Sequence, residues 1–133
     1  MLIQLRIAIV FIFIIFQSCT KSVQTPLLVG EWRAIECLTA NADGQNNTWL
    51  KLDQQDFQVL TFTESGEYLE TNNTGTVQQV CVGTYKQLPA ELLQITSSCQ
   101  QEPLAVTISE LTGSTLILDF TGREGVVRFR YVR

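Results

Sequence analysis

The sequence predicts an all-β fold, an eight-stranded antiparallel up-and-down barrel, and three observations support this class. After residue 28 no sustained 3.6-residue periodicity is present, whereas apolar and polar residues alternate between turn signals spaced about ten residues apart. Each alternating run has one apolar face, as antiparallel strands do when one face of the sheet is buried. Because no helix remains to cover that face, the sheet must close on itself. The predicted strands span 29–38, 57–63, 67–72, 77–86, 91–98, 104–110, 114–120 and 126–132.

Residues 1–18 predict a signal peptide for export. Arg6 precedes ten unbroken apolar residues, Ile7 to Phe16, and Ser18 supplies a small residue just before a cleavage point. A transmembrane helix needs about 20 apolar residues, so this run is too short to span a bilayer. A buried core helix is the alternative, but the position of the run at the start of the chain disfavours it.

The segment Phe16-Gln17-Ser18-Cys19 resembles a relaxed lipobox, similar to those of Bacteroidota lipoproteins. The resemblance implies lipidation of Cys19, a tether over residues 19–27 and a barrel domain over residues 28–133. It also implies a lipid-anchored protein of the cell envelope, on the outer membrane and facing the periplasm. Plain secretion, with Cys19 as a further disulfide-capable thiol, is the alternative.

Composition and charge exclude several function classes. The chain has 9 Lys+Arg, 13 Asp+Glu and no His, with a formal net charge of −4. An acidic protein binds nucleic acid or an anionic lipid surface poorly, because like charges repel. The absence of His excludes Ser/His/Asp and Cys/His catalysis and removes the commonest metal ligand. We therefore expect no enzymatic activity, no cofactor and no metal site.

The hairpins can be tested by register, because residues that face each other must share one face of the sheet. A three-residue loop ending at Gly66 sets Phe62 opposite Tyr68. The same loop at 111–113 predicts an apolar face of three pairs, and the last hairpin predicts three further apolar pairs and a cross-strand ion pair. These pairs are Leu104–Phe120, Val106–Leu118, Ile108–Leu116, Phe120–Val127, Leu118–Phe129, Leu116–Tyr131 and Asp119–Arg128.

The run Gly30-Glu31-Trp32 resembles the Gly-x-Trp of the first strand in lipocalins. The resemblance implies that Trp32 plugs the closed end of the barrel, and that Arg128, Arg130 or Arg133 from the last strand packs over it. More of the chain is similar to short bacterial lipocalin-like lipoprotein domains. The matching segments are 28–32, 60–68, 83–86, 92–95 and 127–131.

If Trp32 marks the closed end, the loops 39–56, 73–76, 99–103 and 121–125 lie at the open end. Polar residues of inward parity near that mouth suit a site that orients a small hydrophobic ligand. Loops as long as 39–56 are usually functional or mobile, so Trp49 is interpreted either as part of a lid or as a side chain packed on the rim. The candidate ligand-binding residues are Glu36, Trp49, Gln58, Glu70 and Ser97. The alternative is a filled barrel that acts as a protein-interaction or inhibitor module.

Four cysteines occur, at positions 19, 37, 81 and 99. Cys81 and Cys99 lie on neighbouring predicted strands, share the inward parity, and are almost opposite each other across the hairpin near Pro89. An exported protein can keep disulfides, so we predict a Cys81–Cys99 bond. Pairing of Cys37 with Cys99 or Cys81 is the alternative.

Overall fold

The computed structural model describes residues 27–40 and 48–133 of the chain. The predicted signal peptide, Cys19, nearly all of the tether and residues 41–47 of the long loop lie outside the described residues. Within the described part, no helix is long and apolar enough to cross a membrane.

The described residues form a single antiparallel sheet that closes on itself, because the first strand also pairs with the last. Each strand otherwise pairs with its neighbours in sequence, as short connections favour. Nine strand segments build it: β1 Gly30–Ala40, β2 Leu50–Lys51, β3 Phe57–Phe62, β4 Glu67–Thr74, β5 Val77–Leu88, β6 Leu92–Ser97, β7 Leu104–Leu111, β8 Thr115–Gly122 and β9 Gly125–Val132.

The short segment β2 and strand β3 occupy one position in the barrel wall. The first residues of β1, Gly30 to Arg33, pair with β3, and further along the same edge Glu36 and Cys37 pair with β2. Between β2 and β3 the chain leaves the wall and returns, so nine segments make eight strands. The prediction of an eight-stranded antiparallel up-and-down barrel is therefore confirmed. Segment β2 was missed because two residues are too few to show alternation.

Two of the three predicted hairpin registers are confirmed, Phe62 opposite Tyr68 and Phe120 opposite Val127, the latter with Asp119 opposite Arg128. The β7–β8 register is wrong by two residues, since Ile108 faces Leu118.

The cause of that error is a wider turn. The Thr112 hydroxyl accepts hydrogen bonds from the backbone N–H groups of Ser114 and Thr115, 3.3 and 3.0 Å away, and a bulge between Ile108 and Glu110 takes up one more residue. A shift of two residues keeps each side chain on its predicted face.

The closed half of the barrel is filled with apolar side chains. Trp32 is fully buried, and its indole Nε1–H donates to the Leu28 carbonyl at 2.8 Å. The Arg133 guanidinium lies 4.0 Å from the centroid of the Trp32 ring, so of the three candidate arginines Arg133 covers it. The buried side chains around Trp32 are Leu60, Phe62, Leu93, Ile95, Val106, Ile108, Leu116 and Leu118.

Strands β5 and β6 approach each other closely and are cross-linked. A Cβ on Gly83 would lie 1.8 Å from the Thr96 carbonyl oxygen, so only glycine fits there. The Cys81–Cys99 disulfide joins β5 to the loop that follows β6, with the two Cα atoms 5.5 Å apart. The predicted pairing is thus confirmed, and Cys37 is the free thiol among the described residues.

Candidate ligand-binding site

The open half of the barrel contains a recess of about 430 Å³. Small-molecule sites usually measure about 300–1,000 Å³ and combine an apolar lining with a few polar groups. The lining belongs to the inner face of five strands and to the loop after β6: Gln58, Tyr68, Glu70, Gln100, Leu104, Phe120, Val127 and Phe129.

One wall of the recess is a hydrogen-bond network centred on the Glu70 carboxylate. Its Oε1 accepts from the amide groups of Gln58 and Asn72, at 3.0 and 2.5 Å, and its Oε2 accepts from the Tyr68 hydroxyl at 2.6 Å. The Tyr131 hydroxyl donates to the Gln58 Oε1 at 2.5 Å, which extends the network across the barrel. Each side chain is held by another, so the wall is fixed in place without a ligand.

The pairing of β3 with β4 brings these residues together. Gln58 is opposite Asn72, and Phe62 is opposite Tyr68, so the inward side chains of the two strands alternate along one face. On β4 that face reads Tyr68, Glu70, Asn72. The face therefore changes from apolar to polar toward the open end.

Burial keeps the two phenols of the network protonated. The pKa of Tyr68 is raised above its usual value by burial and then by its hydrogen bond to the Glu70 carboxylate. Burial also raises the pKa of Tyr131, with a smaller contribution from the Glu70 charge. A phenol with the ordinary pKa of about 10 is already protonated at neutral pH, and the raised pKa values keep both hydroxyls as O–H donors into the alkaline range.

The opposite wall is apolar and aromatic. Phe120 and Phe129 meet edge to face with ring centroids 5.7 Å apart, beside Leu104 and Val127. A second recess of about 650 Å³ continues from this wall to the rim, where the β8–β9 turn brings Arg123 and Glu124 to its edge. The two recesses share Leu104, Phe120 and Val127 in their linings.

The structure places Glu36 on the outer wall, so the prediction that Glu36 faces inward is wrong. A bulge between Ala34 and Glu36 inserts one residue into β1, and beyond it Glu36 is opposite Arg130 and Cys37 is opposite Phe129. The Glu36 carboxylate accepts a hydrogen bond from the Arg130 guanidinium in an ion pair. Strict alternation from Trp32 could not reveal the extra residue.

Trp49 also lies against the outer wall. The Arg130 guanidinium is 4.1 Å from the centroid of the Trp49 ring, a cation–π contact. This placement agrees with the alternative in which Trp49 packs on the barrel, and Trp49 does not line the recess. Residues 41–47 of the predicted lid lie outside the described residues.

The remaining predicted residues divide into two groups. Gln58 and Glu70 line the recess. Ser97 is buried, and its hydroxyl accepts from the Cys99 backbone N–H at 3.2 Å, so Ser97 supports the disulfide segment and does not line the recess.

Sequence reasoning did not include Tyr68, Asn72 and Tyr131 in the candidate site; it treated them as core residues or left them unassigned. The signal available for the first two was the alternation of polar groups along β4. In the described chain no group of three or more His, Cys, Asp or Glu side chains is placed to hold a metal ion.

Known proteins resemble this barrel in fold. The crystal structure of a lipocalin-like protein from Bacteroides uniformis superposes with a TM-score of 0.58 and 17% sequence identity, over 80% of this chain and 98% of that one. No protein-family model matches the chain, and no curated protein matches it. At this identity the likeness shows the fold, and the protein is a closed eight-stranded barrel of lipocalin-like fold.

Proposed function

We propose that this protein is a lipid-anchored binding protein of the cell envelope that holds a small hydrophobic ligand in the open half of its barrel. The observation that carries the proposal is the contrast between the two walls of the recess. A fixed polar wall at Glu70 faces an aromatic wall at Phe120 and Phe129. Polar groups of this kind orient a ligand, and the apolar wall supplies most of the binding free energy. We propose binding, and not catalysis, as the role of this site.

A fluorescence titration tests the binding proposal. N-phenyl-1-naphthylamine, a neutral apolar dye, should bind with enhanced emission, and Phe120→Asp should abolish the signal because a charge replaces part of the apolar wall. The matched control is Leu69→Asp, at an exposed position on the outer wall. An unchanged dye signal in Phe120→Asp, or no signal in the wild type, would contradict the proposal.

The anchor at Cys19 is supported by the lipobox-like segment and the preceding apolar run. We expect the wild-type protein to incorporate radiolabelled palmitate and to sediment with the membrane fraction of its host. Cys19→Ala should do neither, and Cys37→Ala is the control that leaves the leader intact. Absence of palmitate label in the wild type, or label retained in Cys19→Ala, would exclude lipidation of Cys19. Separation of inner and outer membranes then tests the proposed outer-membrane position.

A second candidate function, a protein-interaction module, is favoured by one separate observation. Leu69 and Val82 are cross-strand partners on the outer wall, and both are exposed together with Val80. Contiguous exposed apolar side chains are typical of interaction sites. A stoichiometric partner that co-purifies with the wild type and with Thr84→Lys, but not with Val82→Lys, would support this candidate.

A further inference from the structure

We infer that the recess is selective for amphipathic organic cations, that is, for ligands with an ammonium group on an apolar or aromatic body. The inference rests on the proposed binding function and names its ligand class. Its structural basis is the carboxylate of Glu70. Among the described residues, Glu70 is the one charged side chain in the lining of the recess of about 430 Å³, which we call the inner recess.

The charge of Glu70 has no cationic partner among the described residues. The ion pairs of the described chain are Asp119 with Arg128 and Glu36 with Arg130, both built by outward-facing residues. The three groups that bind the Glu70 carboxylate are two amides and a phenol, all of them neutral. A partly buried charge without a counter-ion is costly, and a cationic ligand would compensate it.

The carboxylate also has room for one more donor. Each carboxylate oxygen can accept two hydrogen bonds. Oε1 already accepts from Gln58 and Asn72, whereas within the described part of the chain Oε2 accepts from Tyr68 alone. We assign the ligand N–H to the open position on Oε2. A charge-assisted bond at that position is about twice as strong as a neutral one.

The aromatic wall supports the same ligand class. Phe120, Phe129 and Tyr68 line the recess, and aromatic faces attract organic cations as well as apolar groups. An anionic ligand would be disfavoured, because the described lining of the inner recess contains no lysine or arginine and Glu70 would repel it. The formal net charge of −4 also attracts cations to the protein.

The ligand is an organic cation and not a metal ion. No group of three or more metal-ligating side chains occurs in the described residues, and a single carboxylate already engaged by three donors is too few ligands for a hard cation. The volume of about 430 Å³ instead matches a small organic molecule.

The test is a displacement series at constant chain length. Decylammonium, decanol and decanoate compete with N-phenyl-1-naphthylamine for the wild-type protein. We expect decylammonium to displace the dye at concentrations about tenfold lower than decanol, as one charge-assisted hydrogen bond allows, and decanoate to be the weakest. Equal displacement by decylammonium and decanol, or stronger displacement by decanoate, would overturn the inference.

Two variants locate the selectivity. In Glu70→Gln the ratio of the decanol to the decylammonium concentration that displaces the dye should fall to about one, whatever the dye affinity of the variant. Glu110→Gln, at an exposed position on β7, should keep the wild-type ratio. A preference that survives in folded Glu70→Gln would contradict the assignment. If Glu70→Gln does not fold, the displacement series with the wild-type protein still tests the charge selectivity. Failure of the dye to bind the wild type rejects the proposed function, whereas dye binding without charge selectivity rejects this inference alone.

Discussion

The two halves of the barrel are built by different means. The closed half is filled around Trp32 with large apolar side chains, most of them almost fully buried. The open half is hollow, and directional bonds hold it: the Glu70 network, the Cys81–Cys99 disulfide and the Glu36–Arg130 ion pair on its outer wall. Packing stabilises the closed half by removing apolar area from water, whereas the open half keeps a recess and needs specific bonds to hold its shape.

The largest difference between the halves should appear in truncations of aromatic residues. Trp32→Ala removes a fully buried ring and should lower the free energy of unfolding by about 3–5 kcal/mol. Phe120→Ala removes a half-buried ring that already borders a hollow, so we expect about 1–2 kcal/mol. Urea unfolding followed by circular dichroism measures both. Equal losses would contradict the description of a filled half and a hollow half.

The disulfide should contribute the next largest effect. Replacing both Cys81 and Cys99 by Ser reopens a loop with a sequence separation of 18 and should cost about 3 kcal/mol in the chain-entropy model. Dithiothreitol should produce a similar loss in the wild type, because Cys99 is exposed. Cys37→Ser is the control and should change stability little. A larger loss in Cys37→Ser than in the double variant would show that the open half depends on Cys37 and not on the cross-link.

The network across the open half predicts a specific alkaline sensitivity. The pKa of Tyr131 is raised on folding, chiefly by burial, so its contribution to stability is full below the unfolded value of about 10 and is lost as pH rises beyond it. Tyr131→Phe should cost about 1 kcal/mol at neutral pH through the lost bond to Gln58. Between pH 9 and 11, the variant should lose about 1 kcal/mol less of its free energy of unfolding than the wild type loses.

The control for that experiment is Tyr85→Phe, at a half-buried phenol that bonds to the Thr63 carbonyl near the closed end. Its pKa is raised by burial and by Glu64, but the group is more exposed than Tyr131. An identical alkaline profile for Tyr131→Phe and the wild type would show that the Tyr131 phenol is not part of a buried network.

The smallest effect is expected on the outer wall, at the pair of Asp119 and Arg128. The hydrogen bond from Arg128 lowers the pKa of Asp119, with further help from Ser109. The stabilisation is therefore present above the unfolded pKa of about 3.9 and is lost as pH falls through the lower folded value. Because Arg128 is well exposed, a double-mutant cycle with Asp119→Asn and Arg128→Gln should give less than about 1 kcal/mol.

Alternation predicted most of the fold because a strand in a closed barrel must bury every second side chain. The eight strands, two hairpin registers and the disulfide follow from parity and turn chemistry alone. The errors occur where a residue is added to a strand or to a turn. The bulge beside Glu36 places its side chain on the outer face of the sheet and not on the predicted inner face. The wider turn at Thr112 shifts the β7–β8 pairing. Nothing in local hydrophobicity marks either position.

The candidate site was only partly predictable for a related reason. Parity places Gln58 and Glu70 on the inner face, and the structure brings both into the recess. The partners of Glu70 depend on how side chains meet across the barrel, as Tyr131 does with Gln58 over a sequence separation of 73. A single sequence without an observed register does not contain that information.

The bulge in β1 has an evolutionary consequence. A one-residue deletion in a barrel strand normally turns every later side chain to the opposite face. Here the ladder already contains one surplus residue between Ala34 and Glu36. Loss of Ile35 would straighten the strand, leave Glu36 outside and leave Cys37 inside. This strand can therefore change length by one residue during divergence while the lining of the recess stays the same.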